Sequence, residues 1–299
     1  MNAVAAIQMV STDDVESNLR TAEYLIARAA ERGAKLIVLP ENFAVFSAKK
    51  MRFWAEREAA EQVFSGFLSK MSKNNAVWIV GGTVPMLPPE NLIEASVSPR
   101  VRTTSLVFDD DGELKGRYDK IHLFDVDVGD AQGAYFESEQ IEPGSQPVVI
   151  PSPYGNIGLS VCYDLRFPEL YVQLVAMGAD IITVPAAFTW KTGKAHWDIL
   201  LRARAIECQC YIVGANQGGV HSPVRRTWGH SSIVDPWGER LGQLNEGESI
   251  LVRNIDRSYV QQLRQSMPVQ QHKRFTVTAN TSKALADVTR QYIGDVSDD

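Results

Sequence analysis

Cysteine is scarce in this chain: three occur in 299 residues, and none forms a Cys-x-x-Cys pair. That excludes a disulfide framework, and Cys208 and Cys210, one residue apart, make a poor metal clip. The reading points to a reducing compartment, and the expected location is the cytoplasm. No His-x-x-x-His, P-loop or Gly-x-Gly-x-x-Gly occurs, so no metal or other cofactor is expected. Long apolar runs are missing too; none approaches the ~20 residues that span a bilayer, and no membrane partner is expected. The first ten residues, Met1 to Val10, lack a basic region and a cleavage pattern, so they read as a strand and not as a signal peptide. Positive charge is in deficit, with 30 Lys and Arg against 36 Asp and Glu and a formal net charge of -6, which argues against a nucleic-acid surface.

What is present is an ordinary apolar share, 44%, distributed in alternating short runs and helical stripes, enough for one large domain. Ala3–Val10, Leu36–Leu39, Ala76–Val80, Asp180–Pro185, Cys210–Ala215, Ser231–Pro236 and Ser249–Asp256 read as strands. Thr12-Asp13-Asp14 caps a helix whose apolar stripe is Val15, Leu19, Ala22, Ile26 and Ala29, ended by Gly33. A second helix is expected on Ala60, Val63, Phe64, Phe67, Leu68 and Met71, and a third over His196–Cys208 with Leu200, Ala203 and Ile206 facing inward. Thr103–Asp109 and Leu114–Leu123 flank the turn Asp110-Asp111-Gly112, while Val126 to Pro147 has no clean period and reads as a long functional loop. Strands and helices interleave without linker or repeat, the pattern of a single α/β domain whose sheets are covered by helices. The domain is expected over 1–275, with 276–299 a tail, partly helical, mobile or packed on a partner chain.

Three residues stand at the ends of apolar strands, where sites gather in α/β sheets. Cys162 falls where the run Asn156–Val161 turns polar before Phe167-Pro168-Glu169, a strand-to-helix turn. Free N–H groups and the helix dipole there would lower a thiol pKa and make a nucleophile; a small buried hydrophobe is the other reading. Glu41 follows Leu36–Leu39, and is otherwise a helix cap or a surface acid beside Pro40. Lys120 shares a strand face with Tyr118 and His122, and is otherwise a solvated residue. His122 is the rival base for Cys162.

Leu39-Pro-Glu-Asn42, Tyr118-Asp-Lys-Ile-His-Leu-Phe124 and Val161-Cys-Tyr-Asp-Leu-Arg-Phe-Pro-Glu-Leu170 resemble, in order, the three signature blocks of the nitrilase superfamily of carbon–nitrogen hydrolases. The resemblance runs from about Ala3 to Phe275. It implies a four-layer αββα sandwich, a homodimer or higher homo-oligomer, and Glu41, Lys120 and Cys162 as a catalytic triad. Glu137, in Tyr135-Phe-Glu-Ser138, resembles an additional active-site glutamate; a surface acid is its other reading. Thr192–Trp197, Arg202–Glu207, Gly229-His-Ser231 and Asp235-Pro-Trp-Gly238 are similar to the Nit branch, and the Ala-Arg-Ala-Ile-Glu run is closer to the deaminated glutathione amidases than to the ω-amidases.

The resemblance implies an amidase that hydrolyses a small 2-oxo-acid amide through a cysteine thioester. Lys120 and the backbone N–H of Tyr163 are expected to receive the oxyanion. Arg166 is the candidate for a substrate carboxylate, or else makes a surface salt bridge; Phe188 and Trp190 are candidates for the pocket wall, or else core. An ω-amidase acting on α-ketoglutaramate, another carbon–nitrogen hydrolase or acyltransferase using the same triad, and an inactive scaffold on the same fold remain alternatives.

Overall fold

Alternation along the central strands decides which layer each side chain joins. In the computed structural model, which describes residues 2–88, 100–130 and 133–277, strand β1 (Asn2–Gln8) sends Val4 and Ala6 to one apolar cluster and Ala5 and Ile7 to another. The next strands repeat the division: Leu36 and Val38 of β2 (Leu36–Val38) face the first cluster and Ile37 the second, as do Trp78 and Val80 against Ile79 in β3 (Trp78–Val80). These strands are buried on both faces, as parallel strands between helices and another sheet must be.

Around β1, β2 and β3, which pair in parallel, the first sheet adds β4 (Val84–Met86), β5 (Arg102–Phe108) and β6 (Leu114–Asp119). A ribbon follows, β7 (Asp125–Asp130) with β8 (Gly133–Phe136). The second sheet holds β9 (Val149–Ile150), β10 (Ile157–Leu159), β11 (Ile181–Ala186), β12 (Tyr211–Asn216), β13 (Ser232–Val234) and β14 (Arg240–Gln243), with β10, β11 and β12 parallel. The final strand, β15 (Ser249–Ile255), returns to pair antiparallel with β1.

Helices α1 (Val15–Glu31), α2 (Met51–Glu61) and α3 (Val63–Asn75) put their apolar residues on the outer cluster of the first sheet; α4 (Pro168–Ala176) and α5 (Trp190–Cys208) pack on the second. The inner faces of the two sheets share the first cluster, so the layers run αββα as expected. α1 begins where expected, with the Asp14 carboxylate accepting from Ser17 N. α6 (Arg257–Ser266) closes the unit Met1–Pro268; a short 3-10 turn, Val269–His272, belongs to the segment beyond. The expectation for the tail lies, from residue 278 on, outside the described residues.

Three sequence expectations change. The second helix is two helices, broken at Gln62 in the left-handed region, because the buried Glu58 carboxylate caps α3 by accepting from Phe64 N and Ser65 N. The stretch after Val126 is not all loop: β7 and β8 form a ribbon that aspartates and exposed faces hide from a propensity reading. α5 starts at its Thr189 cap and buries Trp197, Leu201, Ala205 and Cys208, while Ile206 is 48% exposed. The helix carries two apolar stripes, and the one holding Trp197 takes the core.

Candidate active site

The parallel strands of both sheets end at one place. Met9, just past β1, bridges to Gln217, just past β12, which brings the carboxyl ends of the two sheets together. Glu41 emerges there from β2. Its backbone carbonyl accepts from Gln217 Nε2 at 3.0 Å, and Asn42 N donates to Thr83 Oγ1 at 2.8 Å. Gly82, at φ +52, lies against this turn: a side chain at 82 would meet the Pro40 carbonyl at 2.1 Å. Glycine is therefore what lets the Glu41 turn pack.

Lys120 is the first residue past β6, its N–H still bonded to Thr103 O. Its buried Nζ lies 2.8 Å from Glu41 Oε1, and 3.0 and 2.8 Å from the two oxygens of Glu137. Glu137 follows β8 directly, and its Oε2 also accepts from Phe124 N at 2.7 Å, so the ribbon delivers this carboxylate to the lysine.

Cys162 opens a five-residue 3-10 helix after β10, with φ at +48, a region non-glycine residues seldom occupy. Its thiol faces the Glu41 carboxylate, the backbone N–H of Ala187 and the Lys120 ammonium. The sequence reading expected a lowered thiol pKa. Here burial, with Glu41 added, pushes the thiol well above its ordinary value, against Lys120 and Ala187. The 3-10 helix is too short for its dipole to offset that. Burial pulls Lys120 down, but Glu137, Glu41 and Cys162 together hold its ammonium well above the usual lysine range. Burial also raises Glu137, with Lys120 opposing and Glu41 adding. The resting site thus carries a neutral thiol beside a firmly protonated lysine.

Asp164, fully buried, was not singled out in the sequence. Its oxygens accept from Tyr118 Oη (2.7 Å), His122 N (3.0 Å) and Val161 N (2.8 Å), and contact His122 Nδ1 (2.7 Å). One carboxylate therefore ties the segment carrying Lys120 to the turn carrying Cys162. It also takes His122, which stacks on Phe167 at 3.7 Å, away from the role of thiol base.

A cavity of about 880 Å³ opens over Glu41, Lys120, Glu137 and Cys162. Tyr163 lines it and is the second residue of the 3-10 helix, where a backbone N–H has no partner within the helix. Arg166 and Phe188 line it, with the Arg166 guanidinium 5.3 Å from the Phe188 ring centroid and 3.2 Å from His196 Nδ1. Trp190 is not in the lining: its Nε1 donates to Glu246 and its ring meets Trp228 edge-on, because α5 has already begun and turns it away. His221 and Arg225, in a polar stretch without period, also line the cavity, and no sequence signal marked them. Among the described residues no group of three His, Cys, Asp or Glu side chains is placed to hold a metal ion, and no helix is long and apolar enough to cross a membrane.

Against known proteins, the profile of the carbon–nitrogen hydrolase family matches residues 3–265. A deaminated glutathione amidase from Yersinia enterocolitica is 45% identical over 276 residues, 91% of this chain and 93% of that protein. The structure of Nit3 from Saccharomyces cerevisiae, a member of branch 10 of the nitrilase superfamily, superimposes with a TM-score of 0.80 at 32% identity, covering 92% of this chain and 97% of that one. An amidase from Nesterenkonia sp. AN1, whose active-site cysteine was captured as an acrylamide adduct, gives a TM-score of 0.70 at 26% identity over 91% of this chain and 100% of that one.

Proposed function

The chain belongs to the carbon–nitrogen hydrolase family, and from that premise we propose that it is a deaminated glutathione amidase using Cys162 as nucleophile, Glu41 as proton carrier and Lys120 as oxyanion partner. The observation that carries the reading is that the Cys162 thiol, the Glu41 carboxylate and the buried Lys120 ammonium, 2.8 Å from Glu41, line one cavity. The substrate reading is supported by the relatives' name and by a cavity whose two guanidinium groups, Arg166 and Arg225, have no carboxylate partner among the described residues.

Glu41 takes the thiol proton as sulfur bonds to the amide carbon, and the carbonyl electron pair moves to oxygen. Burial and Glu41 hold the thiol above its ordinary value, so the reading couples proton transfer to Glu41 with formation of the carbon–sulfur bond. The oxyanion meets Lys120 Nζ and the Tyr163 N–H, donors worth roughly 3–4 kcal/mol each in such sites. Collapse breaks the carbon–nitrogen bond, Glu41 returns its proton to the departing Cys-Gly amine, and a 2-oxoglutaryl thioester remains. Glu41 then deprotonates water, which attacks the thioester and expels the sulfur, and the proton returns to Cys162. Glu137 holds Lys120 in line, and Arg166, over Phe188, takes the 2-oxo-acid carboxylate. A homodimer or higher homo-oligomer, a cytoplasmic location and catalysis without metal or cofactor belong to the same reading.

The test is side-by-side turnover of deaminated glutathione and α-ketoglutaramate. A specificity constant at least ~10-fold higher for the first supports the reading. A preference for α-ketoglutaramate reassigns the protein as an ω-amidase, and turnover of neither contradicts the substrate class.

A further inference from the structure

Two guanidinium groups reach the cavity without a carboxylate partner among the described residues, and only Arg166 has so far been given a task. The other is Arg225. Its Nη2 donates to the Ala187 carbonyl at 3.1 Å, its Cζ lies 4.8 Å from the Tyr135 ring centroid and 5.6 Å from that of Phe46, and its Nη1 is buried with no acceptor. An arginine that has shed water and accepted one neutral carbonyl in exchange is an incomplete ion site.

Nothing around it supplies the missing charge. His221 stacks on Phe46 at 4.0 Å, but both its nitrogens are engaged, with Ser11 O and Thr227 Oγ1, and burial pushes its pKa down to about 4, so it is a neutral wall. Glu41 and Glu137 are both turned toward Lys120, and Asp13 pairs with Lys50 at 2.7 Å. Of the cations lining the cavity, exposed Lys49 is free to meet exposed Glu139, whereas Arg166 and Arg225 make no ion pair among the described residues. Two guanidinium groups without a carboxylate partner favour a ligand that carries two carboxylates.

The position of Arg225 separates it from Arg166. Ala187 is the common element: its N–H faces the Cys162 sulfur and its carbonyl holds Arg225. Arg166 lies instead over Phe188 and Tyr163. The two cations therefore approach the nucleophile from different neighbours. Deaminated glutathione has one carboxylate on the acyl side of its scissile amide and a second at the far end of the Cys-Gly leaving group.

We infer that Arg225 forms a second anion subsite, which takes the terminal carboxylate of the leaving dipeptide while Arg166 takes that of the acyl group. The inference rests on the proposed function and adds to it the reason one amide is chosen over another: α-ketoglutaramate releases only ammonia and offers Arg225 nothing. A planar guanidinium clamped between aromatic faces is organised for bidentate carboxylate binding in a way that lysine is not.

The experiment measures kcat/KM for wild type and Arg225→Gln on three amides: deaminated glutathione, its analogue with the terminal carboxylate replaced by a carboxamide, and α-ketoglutaramate. Wild type should prefer the carboxylate over the carboxamide analogue by ~10- to 100-fold, and Arg225→Gln should erase that preference by losing ~10- to 100-fold on deaminated glutathione alone. α-Ketoglutaramate should lose no more than ~2-fold, and so reports on folding of the variant. Arg225→Lys should recover only part of the loss. Equal losses on all three amides, or a wild type indifferent to the carboxamide, overturn the subsite while leaving the amidase reading intact. A wild type that turns over none of the three overturns both.

Discussion

Lys120 Nζ sits 2.8 Å from Glu41 Oε1, both groups buried, although 79 residues separate them in the chain. With Glu137 on its other side, the ammonium offsets carboxylate charge that burial would otherwise disfavour. Removing it should therefore damage the fold as well as the chemistry. Lys120→Met is expected to abolish turnover and to lower stability by roughly 3–5 kcal/mol in denaturant unfolding. Lys120→Arg keeps the charge and should unfold closer to wild type, yet remain at least ~10²-fold slower because its fork cannot occupy the place of a compact ammonium. A Lys120→Met protein as stable as wild type would show that the pair is not holding the site together.

The Cys162 thiol is held well above its ordinary value of 9.0 by burial and by Glu41. Its reaction with iodoacetamide in the absence of substrate should be slow at neutral pH and still be rising beyond pH 9. A plateau below pH 8 would mean a preformed thiolate.

Glu41→Gln separates charge from shape. It should reduce kcat by ~10²- to 10⁴-fold, the range for loss of a general base. It should also shift the alkylation profile of Cys162 to lower pH, because one upward influence on the thiol is gone. An alkylation profile that stays in place would remove Glu41 from contact with the sulfur.

Asp164 joins the Lys120 and Cys162 segments through Tyr118, His122 and Val161. Asp164→Asn preserves size but turns an acceptor into a partial donor facing an N–H or O–H. A stability loss of roughly 2–4 kcal/mol is expected, with kcat falling more than KM rises, since substrate does not touch this residue. Full thermal stability and unaltered kcat would reduce the cluster to a bystander.

His221 titrates near 4 in the folded protein, below its free value of 6.5, because burial disfavours its charge. The unfolded chain then binds the proton more readily than the folded one between those values. The stabilising contribution is complete above pH 6.5 and is lost as pH falls toward 4. The drop in Tm across that window should be smaller in His221→Gln; an identical drop would assign the acid sensitivity elsewhere.

Much of this arrangement is legible in the amino-acid order for a simple reason. Leu36–Leu39 and Asn156–Val161 are apolar runs that can only be buried strands, so Glu41 and Cys162 at their ends had to emerge at a sheet edge. Lys120 needed more than alternation, since a lysine in a hairpin is ordinarily solvated, and Glu137 was visible only through the family resemblance. What stayed hidden is set by contacts made across the chain. Asp164 reads as a turn residue until Tyr118 and His122 arrive from 46 and 42 residues away. Gln62 has nothing local to break a helix; Glu58 does it through the buried cap on α3. Trp190 reads as pocket wall or core until Thr189 caps α5 just before it and turns its ring toward Glu246 and Trp228. The direction of the thiol shift depends on burial and on Glu41, neither of which is encoded near Cys162.

The central claim, that an acyl group is transferred to Cys162 and then to water, is tested most directly by rapid acid quench during turnover of deaminated glutathione, followed by mass mapping of the peptides. The account predicts one 2-oxoglutaryl group, labile to hydroxylamine, on the peptide holding Cys162, and the same adduct when α-ketoglutaramate is the substrate. Turnover with no adduct under any quench time, or an adduct on Cys208 or Cys210, would contradict it.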